Sequence, residues 1–219
     1  APDAPFSDEE LVRVFRLFIS VLNDGLRDPD GPAFQRYYYL LERLATVKAF
    51  NLLVSLDEDL VVEMFETFFS LVNESNAIIW SHVTDIICSC IEEFETMNQK
   101  VHDAILKPLL SSPTPYLIPQ EGSSVDGGKT PQYNLAANVL KKLADILRPS
   151  LAQFLKSILT YGSSHESLAA SEIPEHLNQI IWELYCVEKT LLAPVLPDFY
   201  LSLETVDLEK KTEAVRVLI

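Results

Sequence analysis

The sequence predicts an all-α chain of stacked helical hairpins, and three observations carry that expectation. Apolar residues recur at three- and four-residue steps along most of the chain, and no run shows a convincing strand alternation. The periodic segments are about 10–20 residues long and are joined mostly by short turns. Consecutive helices pair off at an interval of about 40 residues, the length of a HEAT or armadillo hairpin, so the chain reads as an α-solenoid segment. The same pattern leaves a compact helical bundle open.

The elements follow in order. Ser7 with Glu10 forms a capping box, and Asp8, Glu9 and Glu10 place negative charge on the positive end of the helix dipole. Leu11, Val14, Phe15, Phe18, Ile19 and Leu22 then make an apolar stripe, stopped by Asn23-Asp24-Gly25. After the turn Asp28–Pro32, a second helix is expected over about 33–54. Tyr37, Tyr38, Tyr39, Leu40, Leu41 and Leu44 make it apolar on most of its circumference, as for a helix packed between neighbours. Further helices are expected over Asp57–Val72, with Leu60, Met64, Phe65, Phe68 and Leu71 inward, and over Ile78–Phe94 and Asn98–Leu110.

Residues 111–131 carry prolines, glycines and serines with no apolar period, as a long mobile loop would. Helices resume over Tyr133–Leu147 and Ser150–Leu159, followed by a turn at Tyr161–Glu166. Another begins near Pro174 and runs to Thr190; the last two span Ala193–Leu203 and Asp207–Ile219. The division is thus 1–110, N-terminal repeats; 111–131, a linker; and 132–219, further repeats. The end on Val217-Leu218-Ile219, in mid-stripe, fits a solenoid cut between repeats, and the start without Met fits a processed or excised segment.

Charge excludes several functions. With 17 Lys+Arg against 32 Asp+Glu the net charge is −15, which repels phosphate backbones and anionic lipid. Direct nucleic-acid or membrane binding is not expected, and a basic partner is the natural complement. No run reaches the roughly 18 apolar residues of a membrane span. Cys88, Cys90 and Cys186 are odd in number and form no disulfide framework, as for reduced thiols in an intracellular protein.

Catalytic and cofactor motifs are not found, so neither an enzyme nor a cofactor is expected. Gly122–Thr130 reads GSSVDGGKT, but a phosphate-binding loop needs four residues between its first glycine and Gly-Lys-Thr, and here there are five. His82, His102, His165 and His176 lack metal-ligand spacing and read as surface or partly buried side chains. Cys88-Ser89-Cys90 lacks the spacer of redox or zinc motifs, and Asn73-Glu74-Ser75 reads as a helix end.

One segment stands apart. Ala1-Pro2-Asp3-Ala4-Pro5-Phe6 is extended, because a residue before proline is biased out of the helical region. It offers a carboxylate at Asp3, stiff prolines and an aromatic beside a helix start. Packing of adjacent helices is expected to bring Tyr38, Tyr39 and Glu42 close, giving a carboxylate among aromatic walls that suits a Tyr or Arg side chain of a peptide. A tail stapled onto the first helix is the other reading.

These residues also carry a resemblance. APDAPFSDEELVRVF is similar to the opening helix of the Pds family of sister-chromatid cohesion proteins (precocious dissociation of sisters). The match continues through Phe34–Ala45, Val47-Lys48, Phe65–Asn73, Val195–Leu203 and Glu213–Leu218. The resemblance implies an N-terminal fragment of a longer, nuclear, HEAT-repeat regulator of cohesin that acts as a non-catalytic, monomeric scaffold. It implies that Ala1, Pro2, Asp3, Ala4, Pro5 and Phe6 form a peptide site, with Tyr38, Tyr39 and Glu42 as an extension. The implied ligands are short basic-aromatic motifs of the cohesin-release factor, its antagonists and the cohesin acetyltransferase. The kleisin contact is expected elsewhere in the protein. A generic HEAT-repeat adaptor for transport or a phosphatase, binding on a concave face, is the alternative.

Overall fold

The computed structural model describes residues 5–111, 129–161 and 171–197. Among these residues every regular element is helical. The chain divides into two compact units, one of Ala1–Glu95 with Thr130–Leu135, the other of Thr96–Lys129 with Ala136–Ile219.

The first unit holds α1 (Asp8–Gly25), α2 (Phe34–Thr46), α3 (Asn51–Leu56), α4 (Glu58–Leu71) and α5 (Trp80–Glu93), the last preceded by a 3-10 turn at Ala77–Ile79. Helix α1 packs on α4 and α2 packs on α5. Their cross-links run in parallel register. Arg16 meets Glu63 and Asn73 meets the Arg27 carbonyl, at separations of 47 and 46 residues. Tyr38 meets His82 and Asn51 meets Glu93, at separations of 44 and 42. A near-constant offset means that one hairpin lies on the next as a repeat does, so within this unit tandem stacking holds and the bundle reading does not.

The single second helix expected over about 33–54 is two helices. Helix α2 ends at Val47 in a Schellman motif: Ala49 N–H bonds to the Leu44 carbonyl at 3.0 Å and Lys48 N–H to the Ala45 carbonyl at 3.1 Å. Lys48 takes the left-handed position, at φ 52°. The bend turns Phe50 inward between Phe15 of α1 (ring centroids 5.6 Å apart) and Phe68 of α4 (5.8 Å, interplanar 89°). Aromatic pairs of this kind contribute about 0.5–1.5 kcal/mol beyond burial. Nor is α2 buried all round. Phe34, Leu41 and Leu44 are buried, Tyr37 and Tyr38 are half-buried, and Tyr39 is exposed. The tyrosine rings carry hydroxyls, and Tyr37 and Tyr39 have arginine partners, which makes exposure tolerable.

Helix α4 matches expectation closely. Asp57 caps it, accepting from Leu60 N–H at 3.0 Å, and Leu60, Met64, Phe65, Phe68 and Leu71 are all buried. Cys88 and Cys90 are buried on α5. Helix α7 (Pro131–Lys142) adds its first turn to this unit, where Gln132 Nε2 donates to the Val72 carbonyl at 2.9 Å.

The second unit holds α6 (Gln99–Leu106), α8 (Ala144–Tyr161) and α9 (Leu177–Glu188), with 3-10 turns at Lys107–Ser111, Pro174–His176 and Lys189–Leu191. The break expected between Leu147 and Ser150 falls instead at Leu143, and α8 runs through Pro149. Buried Leu147, Leu151, Leu155 and Ile158 lie on both sides of the proline, so packing holds the helix across the missing hydrogen bond. Arg148 binds the Thr190 carbonyl at 3.0 Å, tying α8 to the turn after α9. Of the expected loop over 111–131, Ser111 closes a 3-10 turn and Pro131 opens α7; of the expected turn Tyr161–Glu166, Tyr161 ends α8; and Ala193–Val195 form a turn where a helix was expected. Residues 112–128, the rest of the 161–166 turn, and the helices beyond Pro197 lie outside the described residues.

Candidate functional site

Capping chemistry positions the N-terminal edge. Ser7 N–H donates to Glu10 Oε2 at 2.8 Å, and Glu10 N–H donates to Ser7 Oγ at 3.3 Å. The bond from Ser7 N–H, and after it one from the Ser7 hydroxyl to the same Oε2, lower the Glu10 pKa and keep its carboxylate charged. The reciprocal cap fixes the direction in which the chain leaves α1. Pro5 and Phe6 follow that direction and are exposed, Phe6 at 54%. Asp8, Glu9 and Glu10 are exposed beside them, so the edge combines an aromatic ring with clustered negative charge. Ala1, Pro2, Asp3 and Ala4 lie outside the described residues.

The expected α2 members of the site are elsewhere. Gly25, at the end of α1, lies against the ring of Tyr37, and Phe15 lies against Phe50, so α1 and α2 run antiparallel. Tyr38, Tyr39 and Glu42 are therefore about 20 Å along the hairpin axis from the start of α1, at 1.5 Å per residue. Adjacency of helices does not make their opposite ends adjacent, which corrects the expectation that these side chains flank Pro5 and Phe6. Tyr38 is drawn into the α2–α5 contact. Its ring stacks on Phe34 at 6.2 Å, and its hydroxyl lies 3.3 Å from His82 Nε2. Tyr39 is exposed under the Arg43 guanidinium, and Glu42 is half-buried.

The other candidates resolve individually. His82 is the partner of Tyr38, and His176 is exposed. His102, expected as a surface or partly buried side chain, is almost fully buried. It stacks on Phe154 at 4.9 Å and donates from Nδ1 to the Asn98 carbonyl at 2.9 Å. Desolvation holds its pKa below the ordinary value, so the ring is neutral. Burial pushes the Cys90 thiol up to about 12, with the Glu93 charge adding to it, which leaves that sulfur inert. Among the described residues no three His, Cys, Asp or Glu side chains group as metal ligands would, and no helix is long and apolar enough to cross a membrane. Lys129, from the Gly-Lys-Thr run, lies 3.8 Å from the buried Glu183 carboxylate.

Sequence reasoning missed the polar knot that joins the two hairpins. Asn76 is fully buried and uses its whole hydrogen-bonding capacity. Its amide donates to the Leu26 carbonyl at 3.0 Å and the Leu71 carbonyl at 2.9 Å, and its oxygen accepts from Asn73 N–H at 2.8 Å and Trp80 Nε1 at 3.3 Å. The signal was the run Asn73-Glu74-Ser75-Asn76 between two apolar helices, where side-chain turns compete with helix.

Stacked hairpins with a charged, aromatic edge and no grouped metal ligands among the described residues define a helical-repeat protein of the HEAT type. A solved chain from the structure of the Pds5–Scc1 complex shares this fold, with a TM-score of 0.76 at 20% identity, covering 100% of this chain and 33% of that one. The family model for sister chromatid cohesion protein PDS5 matches residues 1–219, and the chain belongs to that family. It is 31% identical over 221 residues to the PDS5 homolog A-B of Xenopus laevis and 31% identical to the PDS5 homolog A of Gallus gallus. It is covered completely in both cases and spans 16% and 15% of the length of those relatives.

Proposed function

We propose that this chain is a docking segment of a chromosome-bound cohesin regulator, and that Ala1–Phe6 receives short basic-aromatic motifs from other cohesin regulators. The observation that carries the reading is the exposed Phe6, held outside a reciprocally capped helix and next to Asp8, Glu9 and Glu10. An arginine of the incoming motif pairs with Asp3 in a charge-assisted, bidentate contact, and its aromatic residue packs on Phe6 and Pro5. Family membership supports the cohesin setting. The release factor, its antagonists and the acetyltransferase present the same chemistry, so they compete for one edge and exclude one another. The distance to Tyr38, Tyr39 and Glu42 supports the N-terminal edge alone as the site for a motif of a few residues. An extended peptide needs about six residues, at ~3.3 Å each, to bridge the two regions.

Fluorescence polarisation with a Tyr- and Arg-bearing peptide tests this. Asp3→Lys is expected to abolish binding and leave the helical circular dichroism intact. Phe6→Ala is expected to weaken binding about tenfold, the scale of one lost aromatic contact of about 1.4 kcal/mol. Unchanged affinity in Asp3→Lys rejects the site.

A further inference from the structure

The outer face of α2 carries charge of the opposite sign. Arg36, Tyr39 and Arg43 recur at three- and four-residue spacing, so they form one stripe, which Val47 extends. All four are exposed, Tyr39 at 57% and Val47 at 69%. Both guanidiniums rest on tyrosine rings, Arg43 at 4.8 Å over Tyr39 and Arg36 at 4.8 Å over Tyr37. Arg36 also donates to the Tyr37 hydroxyl at 2.9 Å. The Tyr37 ring is itself fixed, because it lies where a Cβ on Gly25 would be.

Neither arginine is ion-paired with a carboxylate among the described residues, whereas Arg16 and Lys48 have found Glu63 and Glu92. With 32 Asp+Glu against 17 Lys+Arg in the chain, cations have ample opportunity to pair. A guanidinium stacked on a ring has already lost much of its rotamer freedom, and Arg36, with one N–H on the Tyr37 hydroxyl, keeps its other donors for a carboxylate.

We propose that this stripe docks an acidic peptide segment of a partner protein. Seven helical residues separate the two arginines, about 10 Å. A peptide in the polyproline II conformation covers that in one turn, three residues at ~3.1 Å each, and brings its first and fourth side chains onto one face. The fitting ligand therefore has carboxylates three positions apart on one face, with an apolar or aromatic side chain between them that flanks Tyr39. Each carboxylate takes a bidentate contact from one guanidinium. The proposal is independent of the N-terminal reading, whose ligand is basic.

The test uses the whole 219-residue chain and three fluorescent probes in low salt. These are a peptide containing Glu-Ala-Phe-Glu, its Lys-Ala-Phe-Lys counterpart, and a short oligo-dT. The Glu peptide is expected to bind, at least about tenfold more weakly to Arg36→Gln/Arg43→Gln and about fivefold more weakly to Tyr39→Ala. Asp3→Lys is expected to leave it unchanged, which separates this surface from the N-terminal edge. The glutamines keep side-chain length and exposure, and circular dichroism confirms the fold of each variant. Equal binding of the Glu peptide to the double glutamine variant overturns the proposal. So does equal binding of the Lys peptide, or tighter binding of oligo-dT than of the Glu peptide.

Discussion

Asn76→Ala is the sharpest probe of how the two N-terminal hairpins hold together. The substitution deletes two donors and an acceptor that serves two groups, at a position with no solvent access. The partners do not suffer equally. The Leu71 carbonyl retains Asn73 Nδ2 at 3.3 Å, and Trp80 Nε1 retains the Asn73 carbonyl at 3.2 Å. The Leu26 carbonyl and Asn73 N–H lose the partner the structure gives them. Two stranded groups at about 1–3 kcal/mol each put the loss near 3 kcal/mol, a large part of the 5–15 kcal/mol stability of a typical domain. Urea unfolding followed by circular dichroism reads it. At a slope of about 2 kcal/mol per molar, the midpoint falls by about 1.5 M. Asn76→Asp keeps the acceptor, loses both donors and buries a charge, so it is expected to be at least as damaging. A loss below 1 kcal/mol in Asn76→Ala refutes the view that this side chain staples α1 to the α4–α5 turn.

Three further outcomes are expected. Gly25→Ala places a methyl 1.9 Å from the Tyr37 ring; overpacking costs about 1–3 kcal/mol in thermal or urea unfolding, and Tyr37→Ala in the same chain removes most of that increment. His102 is neutral when folded and has an ordinary value of 6.5 when exposed, so below that pH the unfolded chain takes up a proton the folded chain refuses. Unfolding free energy is therefore fully retained above pH 6.5 and falls as pH drops towards the lowered folded value, by up to ~1.4 kcal/mol per pH unit; His102→Phe, stacked on Phe154, loses that slope in urea titrations at pH 7 and pH 5. Ellman's reagent on the native chain is expected to titrate Cys186 rapidly and to reach Cys88 and Cys90 only on denaturation, because both are buried on α5; Cys186→Ser abolishes the fast phase.

Local chemistry was legible in the sequence, and long-range chemistry was not. The Ser7–Glu10 box is read from residues three apart and is present as expected. The end of α2 carries no glycine or proline to announce it. Lys48 accepts a left-handed backbone because the turn delivers Phe50 to Phe15 and Phe68, partners far away in sequence. Pro149 gave the converse error: the local signal for a break is real, but burial on both sides overrides it. His102 has no local signal that sets its depth, and Phe154, 52 positions on, stacks against it in the interior. In the candidate site, composition marked Pro5 and Phe6 as unusual, and the Phe6 ring is exposed beside the cap. What composition did not supply was the level of each residue along the hairpin, which places Tyr39 with Gly25 and far from Asp8.

That separation changes what the net charge of −15 implies. A uniform acidic surface selects basic partners everywhere, and the sequence alone invites that conclusion. The α1–α2 hairpin is not uniform: Asp8, Glu9 and Glu10 stand at the start of α1, and Arg36 and Arg43 stand on the outer face of α2. Charges about 15–25 Å apart along the axis are two to three Debye lengths from one another at physiological salt, where that length is ~8 Å. Each end therefore presents its own field to a docking peptide, and the chain's total decides only the weak, long-range repulsion of polyanions. A partner with a basic-aromatic motif and an acidic-aromatic one about six extended residues away would satisfy both ends at once. Linking two weak contacts in this way raises their combined affinity through effective concentration, and a change at either end alone lowers it only to the level of the other.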